Sequence, residues 1–381
     1  MDVGSGEDER WLGWLAVMRL PNRQVVRRAI IELSLEAEPF DWLHPDGKGL
    51  RGSGFARRVA ALRGWNIPWS AVESDLVWAR KHGVGLVSVR DSDYPPLLHE
   101  IVDPPPAFLY RGAAAWDVPS VALVGSRRAS RSGRARAEQL AFELSEAGLQ
   151  IVSGMALGID SAAHLGALRA GGATVAVLGS GLARPYPRQN LGLMERIAGS
   201  GSVLSEFPPA RAPHPGNFPY RNRIISGLSL GVVVVEAARQ SGSLVTARLA
   251  AEQGRDVFAL PGPVSHPLHA GCHQLIKNGA CLVEDVRDVF DALGTEWRAL
   301  HRTPGAVGND EARSGRVHGL GLGAEDAMAD RVLEGVDYSP TSMDELVERT
   351  GLTPERVSAM LLALELQDRI RVEIDGTYVR I

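Results

Sequence analysis

The stretch FPYRNRIISGLS, Phe218 to Ser229, sets Arg221, Asn222 and Arg223 among two aromatics, Phe218 and Tyr220, and an apolar run. Guanidinium groups fork onto phosphates, and aromatic faces stack bases. Together they suit single-stranded nucleic acid of any sequence. The blander reading is a solvated turn beside core aromatics. A second group, Gly125, Ser126 and Arg127, closes the apolar run VALVG and opens a helical stretch. Such an edge offers backbone N–H groups and the positive end of a helix dipole to an anion. Arg127 adds a fork.

Other patterns carry less. VGSRRAS lacks the GxGxxG spacing, no acid is clearly placed for a ribose, and no Walker A run occurs, so neither a dinucleotide nor another cofactor is expected. Asp160, Ser161 and His164 hold the residue types of a hydrolytic triad. All three share one helix end, whereas a triad needs the histidine between acid and nucleophile, so Asp160 is expected to cap its helix. His266, His269 and His273 lack an anchoring carboxylate nearby, so no metal is expected. Glu206 and Glu236 keep a nucleotide-processing hydrolase open as the second reading, with one of them as general acid–base.

Formal net charge is −4 over 381 residues, yet the charge is uneven. Residues 121–136 hold five arginines and no acid. Six more, Arg188 and Arg211 among them, lie between Arg184 and Arg223 against only Glu195 and Glu206. Local patches of this kind govern anion binding more than the total does. The N-terminus MDVGSGEDER does not read as a secretory signal, and no apolar run is long enough to span a bilayer. Two cysteines, Cys272 and Cys281, fit neither a disulfide framework nor a zinc site. A cytoplasmic protein without a membrane partner is expected.

The elements that must hold these residues follow from periodicity. Residues 1–85 show helical spacing, as in WLGWLAV and FARRVAALRGW. The proline-rich run 91–112 reads as an extended connector needing burial for Leu97, Leu98, Ile101, Phe108 and Leu109. Apolar runs SVALVG, LQIVSG, TVAVLG, SVLSE, GVVVVEA and DVFALPG alternate with helical stretches. That alternation predicts an α/β domain with a Rossmann-like parallel sheet over 86–293, with ligands beyond the carboxyl ends of its strands. RNRIISGLS reads as a short helix docked by Ile224, Ile225 and Leu228. Residues 294–326 read as a Gly-rich linker. Residues 327–381 read as a winged helix: a capping box at Ser342–Glu345, a helix–turn–helix, and a hairpin around Asp375-Gly376. Eight acids and five arginines over 339–381 favour a protein contact or weak DNA binding for this module.

The ordered blocks VALVGSR, IVSGMALGIDSAAH, VAVLGSGL, LSEFP, FPYRNRIISGLS, SGSLVTA, GRDVFALPG and GCHQLIKNGA resemble the DNA-processing protein A family (DprA/Smf). That resemblance implies a non-enzymatic protein that binds single-stranded DNA, protects incoming strands during natural transformation and loads the RecA recombinase. It implies a helical N-terminal domain of SAM-like type and a C-terminal winged helix. It places DNA contacts on Arg127, Arg188, Arg221 and Arg223; with the readings above, the full set is Gly125, Ser126, Arg127, Arg188, Arg211, Phe218, Arg221, Asn222 and Arg223. It implies a homodimer through His273, Ile276 and Leu282, and a RecA contact near Ala251 and Lys277. Relatives often carry lysine where this chain has Arg188, a change that keeps the charge and adds a fork.

Overall fold

A computed structural model describes residues 6–20, 37–44, 66–113 and 116–294. Toward the C-terminus it describes 332–333, 336, 341–354, 357–358, 360–361, 364, 369–372 and 377–380. The chain divides into two units, Met1–Pro304 and Gly305–Ile381. The helical pattern at 55–65, the linker and the Asp375-Gly376 turn lie outside the described residues.

The first unit opens with α1 (Gly6–Val17), α2 (Pro39–Leu43) and α3 (Trp69–Lys81), then β1 (Gly85–Ser88), α4 (Pro96–His99) and β2 (Ala107–Gly112). The alternating part runs β3 (Ser120–Val124), α5 (Arg131–Glu146), β4 (Gln150–Ser153), α6 (Ile159–Arg169), β5 (Thr174–Val177), α7 (Leu191–Ser200) and β6 (Ser202–Ser205). It continues through α8 (Asn217–Gly227), β7 (Gly231–Val234), α9 (Ser243–Glu252), β8 (Asp256–Ala259), α10 (Ala270–Lys277), β9 (Cys281–Leu282) and α11 (Val286–Leu293). All six strands expected from the apolar runs are present.

The nine strands form one sheet in the order β1-β2-β6-β5-β4-β3-β7-β8-β9. From β6 to β9 neighbours run parallel. The chain starts at β3, works outward to β6, then returns to β7 on the other side of β3. That reversal is the topological switch point, where the loops after β3 and β7 diverge and leave a crevice.

Strand side chains alternate between two apolar layers, as the two-residue period requires. Val121, Leu123, Val233 and Phe258 join Leu140, Leu144, Ile159 and Val289 of α5, α6 and α11 on one face. Ala122, Val124, Val232 and Val234 join Ile224, Ile225, Ala247 and Ala250 of α8 and α9 on the other. Trp14, Leu15 and Trp42 of the N-terminal helices belong to this second cluster. The expected N-terminal module therefore shares its core with the sheet. Arg19 also binds buried Asp75 of α3 at 2.5 Å.

The run 91–112 is more than a connector. Its second half, β2, pairs antiparallel with β6 and carries β1 on its far side. Leu98, Ile101, Phe108 and Leu109 are buried, and the Tyr94 hydroxyl donates to the Pro105 carbonyl at 2.8 Å. Period-two alternation was hidden here because the strand is short and buried beside prolines.

In the second unit, α12 (Met343–Thr350) starts at the anticipated capping box. Ser342 Oγ accepts from Glu345 N, and Ser342 N donates to the Glu345 carboxylate at 2.9 Å. It stops at Gly351 with φ of 66°, the left-handed conformation glycine tolerates. Strands β10 (Ile370–Val372) and β11 (Tyr378–Arg380) pair antiparallel. Leu346, Val357, Leu361, Leu364 and Ile370 form its core.

Candidate nucleic-acid interface

At the switch point the loop after β3 faces the start of α8 across a groove of about 800 Å³. Gly125, Ser126, Arg127, Phe218, Arg221 and Asn222 line it together, so these six predicted residues converge although nearly a hundred positions separate the two segments. Arg127 is exposed and its guanidinium lies 5.1 Å from the centroid of the Phe218 ring. Tyr186 sits 5.7 Å from Phe218, ring to ring, and is 44% exposed. A cation over one aromatic with a second ring beside it is an arrangement for a phosphate flanked by stacked bases.

Beneath this mouth Arg221 is buried. Its Nη1 donates to the Gly154 carbonyl at 3.0 Å, and Asp160 is near enough to act on its charge. Burial pulls its pKa down to about 10, with Asp160 opposing and Arg127 assisting that shift, so it stays charged at neutral pH. Asp160 does not cap α6 as expected. Its Oδ2 accepts from Gly154 N and Ala156 N at 3.1 and 3.3 Å, bracing the loop before the helix. Burial raises the Asp160 pKa, and Arg221 lowers it again. Gly154 lets these two side chains close in: a Cβ there would lie 2.6 Å from Arg221 Nη2 and 2.8 Å from Asp160 Oδ2. The lining holds three arginines, 127, 128 and 221, against the single carboxylate of Asp160, so the groove is positive.

The dipole-based part of the Gly125–Arg127 reading does not hold. Helix α5 begins only at Arg131, and its N-cap Ser130 donates its N–H and hydroxyl to Glu236 at 2.9 and 2.5 Å. The positive end of that helix already has an anion, the protein's own carboxylate. Ser126 N is likewise taken by the Glu236 carbonyl at 2.7 Å. At this turn the charge for an anion comes from the arginine side chains.

Arg223 does not reach the groove. It is 5% exposed, forks onto Glu206 through two 2.6 Å bonds, donates to the Asp103 carbonyl at 2.9 Å and rests 4.0 Å over Tyr220. Burial opposes its charge, but Glu206, Asp103 and Tyr94 together outweigh burial and the pKa ends above its usual value. Arg223 thus rivets α8 to the 91–112 run. Arg188 is exposed in a 3₁₀ turn two residues beyond Tyr186, outside the groove lining. Arg211 lines a neighbouring cavity of about 790 Å³ with Leu20 and Glu206, which the groove meets at Pro213 and His214.

Neither carboxylate proposed for acid–base work is available: Glu206 is bound to Arg223, and Glu236 to Ser130. Ser161 donates to the Ala156 carbonyl, and His164 is buried against Thr174 at 2.7 Å. The three histidines near 270 lie in a row, His266 tilted on His269 at 5.4 Å and His269 stacked with His273 at 6.4 Å, and no metal-holding cluster occurs among the described residues. His273 bonds the Gly262 carbonyl at 3.0 Å. Ile276 is half-buried, Leu282 is 44% exposed, and Ala251 and Lys277 are exposed.

Tyr186, Arg128 and Asp160 were missed as groove residues. The signal for Tyr186 was an aromatic directly before Pro187 and Arg188; for Arg128 it was a second arginine beside the first.

A family model for DNA recombination-mediator protein A matches residues 85–294, and one for the DprA winged helix domain matches 322–376. The chain belongs to the DNA recombination-mediator protein A family. Protein Smf of Escherichia coli is 37% identical over 98% of this chain and 96% of its own. A DNA processing protein DprA from Streptococcus pneumoniae is 48% identical over 53% of this chain and 72% of its own. An X-ray structure of DprA from Streptococcus pneumoniae covers 74% of this chain and 96% of its own, at 37% identity and a TM-score of 0.60. A structure of the Helicobacter pylori protein, described for its single-stranded DNA binding mode, covers 55% of this chain and 95% of its own, at 30% identity and a TM-score of 0.50. The DprA/Smf resemblance and the Rossmann-like sheet with a C-terminal winged helix are borne out. The family's work is DNA processing. No helix among the described residues is long and apolar enough to cross a membrane.

Proposed function

We propose that the groove binds single-stranded DNA without sequence preference, and that the protein works as a binder rather than an enzyme. The observation that carries this reading is the Arg127–Phe218–Tyr186 cluster at the mouth of a positive groove. It supplies charge for the backbone and ring faces for any base. Glu206 and Glu236, the carboxylates a hydrolase would need, are engaged inside the protein, which supports the same reading. By likeness to its relatives the protein acts in the cytoplasm as a homodimer through the face of His273, Ile276 and Leu282. It hands the strand to a RecA-type recombinase near Ala251 and Lys277.

The test is a titration of labelled oligonucleotides of increasing length against mononucleotides. Affinity should rise with length, and Arg127→Glu should weaken it and flatten its salt dependence by about 0.7 in log–log slope per lost phosphate contact. Tight mononucleotide binding with no gain from length would overturn the reading in favour of a nucleotide-processing site.

A further inference from the structure

We propose that the bound strand continues beyond the groove, along the outer edge of α5 over Arg131 and Arg134. The inference rests on the groove reading and extends it. Three observations carry it.

First, these two arginines stand three apart and therefore share one helix face, and both are exposed. Neither enters an ion pair among the described residues. Arg134 has a natural partner four residues on, Glu138, but Glu138 is bonded to Arg169 at 2.8 Å. Arg134 instead turns back, and its Nη1 donates to the Ala129 carbonyl at 3.0 Å. That carbonyl follows directly on Arg128, which lines the groove. The charge of Arg134 is thus held at the residue next to groove-lining Arg128.

Second, the placement works against the helix. The first turn of α5 holds no acid, and cations there oppose the dipole. Glu236, the acid nearest the helix start, is engaged by Ser130. Cations set against local preference without an acidic partner among the described residues mark a functional demand.

Third, the patch and the groove have one sign, and residues 121–136 contain five arginines and no acid. A polyanion leaving the groove meets Arg128, then Arg131 and Arg134, with no carboxylate side chain on the segment between them. Charge complementarity and continuity name the occupant as the same strand. Arg136 is the internal control: it lies two residues from Arg134, on the other side of the helix, and lines a separate cavity with Pro261 and His269.

The experiment uses the full chain and fluorescent oligothymidylates of about six and about thirty nucleotides, chosen to fit within and to exceed one binding site. Arg131→Ala combined with Arg134→Ala should leave six-nucleotide affinity unchanged. It should weaken the thirty-nucleotide complex about tenfold at low salt and reduce its salt slope by about 1.4, the share of two phosphates. Its melting temperature should hold or rise, because alanine relieves the helix N-terminus. Arg136→Ala should leave both strands bound as before. An unchanged thirty-nucleotide affinity in the double variant would overturn the path. So would an equal loss on both lengths, or an equal loss from Arg136→Ala, since each would show only a general effect of charge. Arg127→Ala must weaken both lengths. If it weakens neither, the groove reading itself has failed, a result distinct from failure of the extension alone.

Discussion

Replacing Arg223 by methionine should cost stability and spare DNA binding. In the folded protein the Arg223 and Glu206 side chains are each only 6% exposed and meet at 2.6 Å. The guanidinium is further used on Asp103, and Tyr220 lies beneath it. Methionine keeps much of the packing volume but leaves Glu206 buried without its partner. Removing one member of such a pair costs about 3–5 kcal/mol, because the remaining charge stays desolvated. For a unit of this size that corresponds to a fall in melting temperature of roughly 6–20 °C. Pairing Arg223→Met with Glu206→Leu removes both charges and should recover most of the loss, since apolar replacement of a buried pair is close to neutral. The assay is thermal denaturation of the two variants beside Arg127→Ala, with oligonucleotide affinity measured on each below its transition. Arg127→Ala should show the opposite pattern, intact melting and weakened binding. An Arg223→Met protein that melts like the parent and binds DNA tenfold more weakly would refute the structural assignment and return Arg223 to the groove.

Further outcomes follow from the same geometry. Gly158 has φ of 83°, and a Cβ there would lie 2.2 Å from the Ser126 carbonyl oxygen. Gly158→Ala should therefore destabilise the fold by more than about 1 kcal/mol and, by displacing the Ser126–Arg127 turn, weaken oligonucleotide binding as well; chemical denaturation and anisotropy read the two effects. Burial, aided by Arg221, lowers the His164 pKa to about 3, so the folded protein holds it neutral while the unfolded chain takes up a proton near pH 6.5. The stability tied to this neutrality is whole above pH 6.5 and declines as pH falls toward 3, at up to about 1.4 kcal/mol per pH unit; urea titrations at several pH values should show His164→Gln flattening that acid limb. On the α10 face, Ile276 is half-buried and Leu282 is 44% exposed. Ile276→Glu should give a folded monomer by light scattering, because a symmetric interface would bury the new charge twice, and a folded variant that still dimerises would place the interface elsewhere.

The sheet was legible because its strands are buried on both faces. VALV and GVVV are apolar throughout, and only a strand covered on both sides needs that. The crevice followed from the strand–helix alternation, so Arg127 and Phe218 could be placed in one set of contacts from sequence. Tertiary partners were not legible. Nothing local to Ser130 announces Glu236, 106 residues away, and the pairing of β2 with β6 depends on an edge that composition does not mark. Asp160 looked like a cap because it stands at a helix start; the loop's own N–H groups at Gly154 and Ala156 won its carboxylate.

The division of labour within Arg221-Asn222-Arg223 is different, because its cause is local. A helix advances 100° per residue, so positions two apart point 200° apart and cannot serve one surface. Once RNRIISGLS is read as helical, Arg221 and Arg223 must face opposite ways. One side of α8 faces the switch-point groove, and Arg221 goes there, onto Gly154 and beside Asp160. The other side faces the 91–112 run, and Arg223 goes there, onto Asp103 and Glu206. Asn222 sits between them, half-buried at the groove, accepting from Arg221 Nε at 3.3 Å. Two like residues in one short motif thus do unlike work. The buried pair holds the helix against the antiparallel edge of the sheet. The opposite face of α8 carries Phe218 to Arg127, across loops that share no neighbouring sequence.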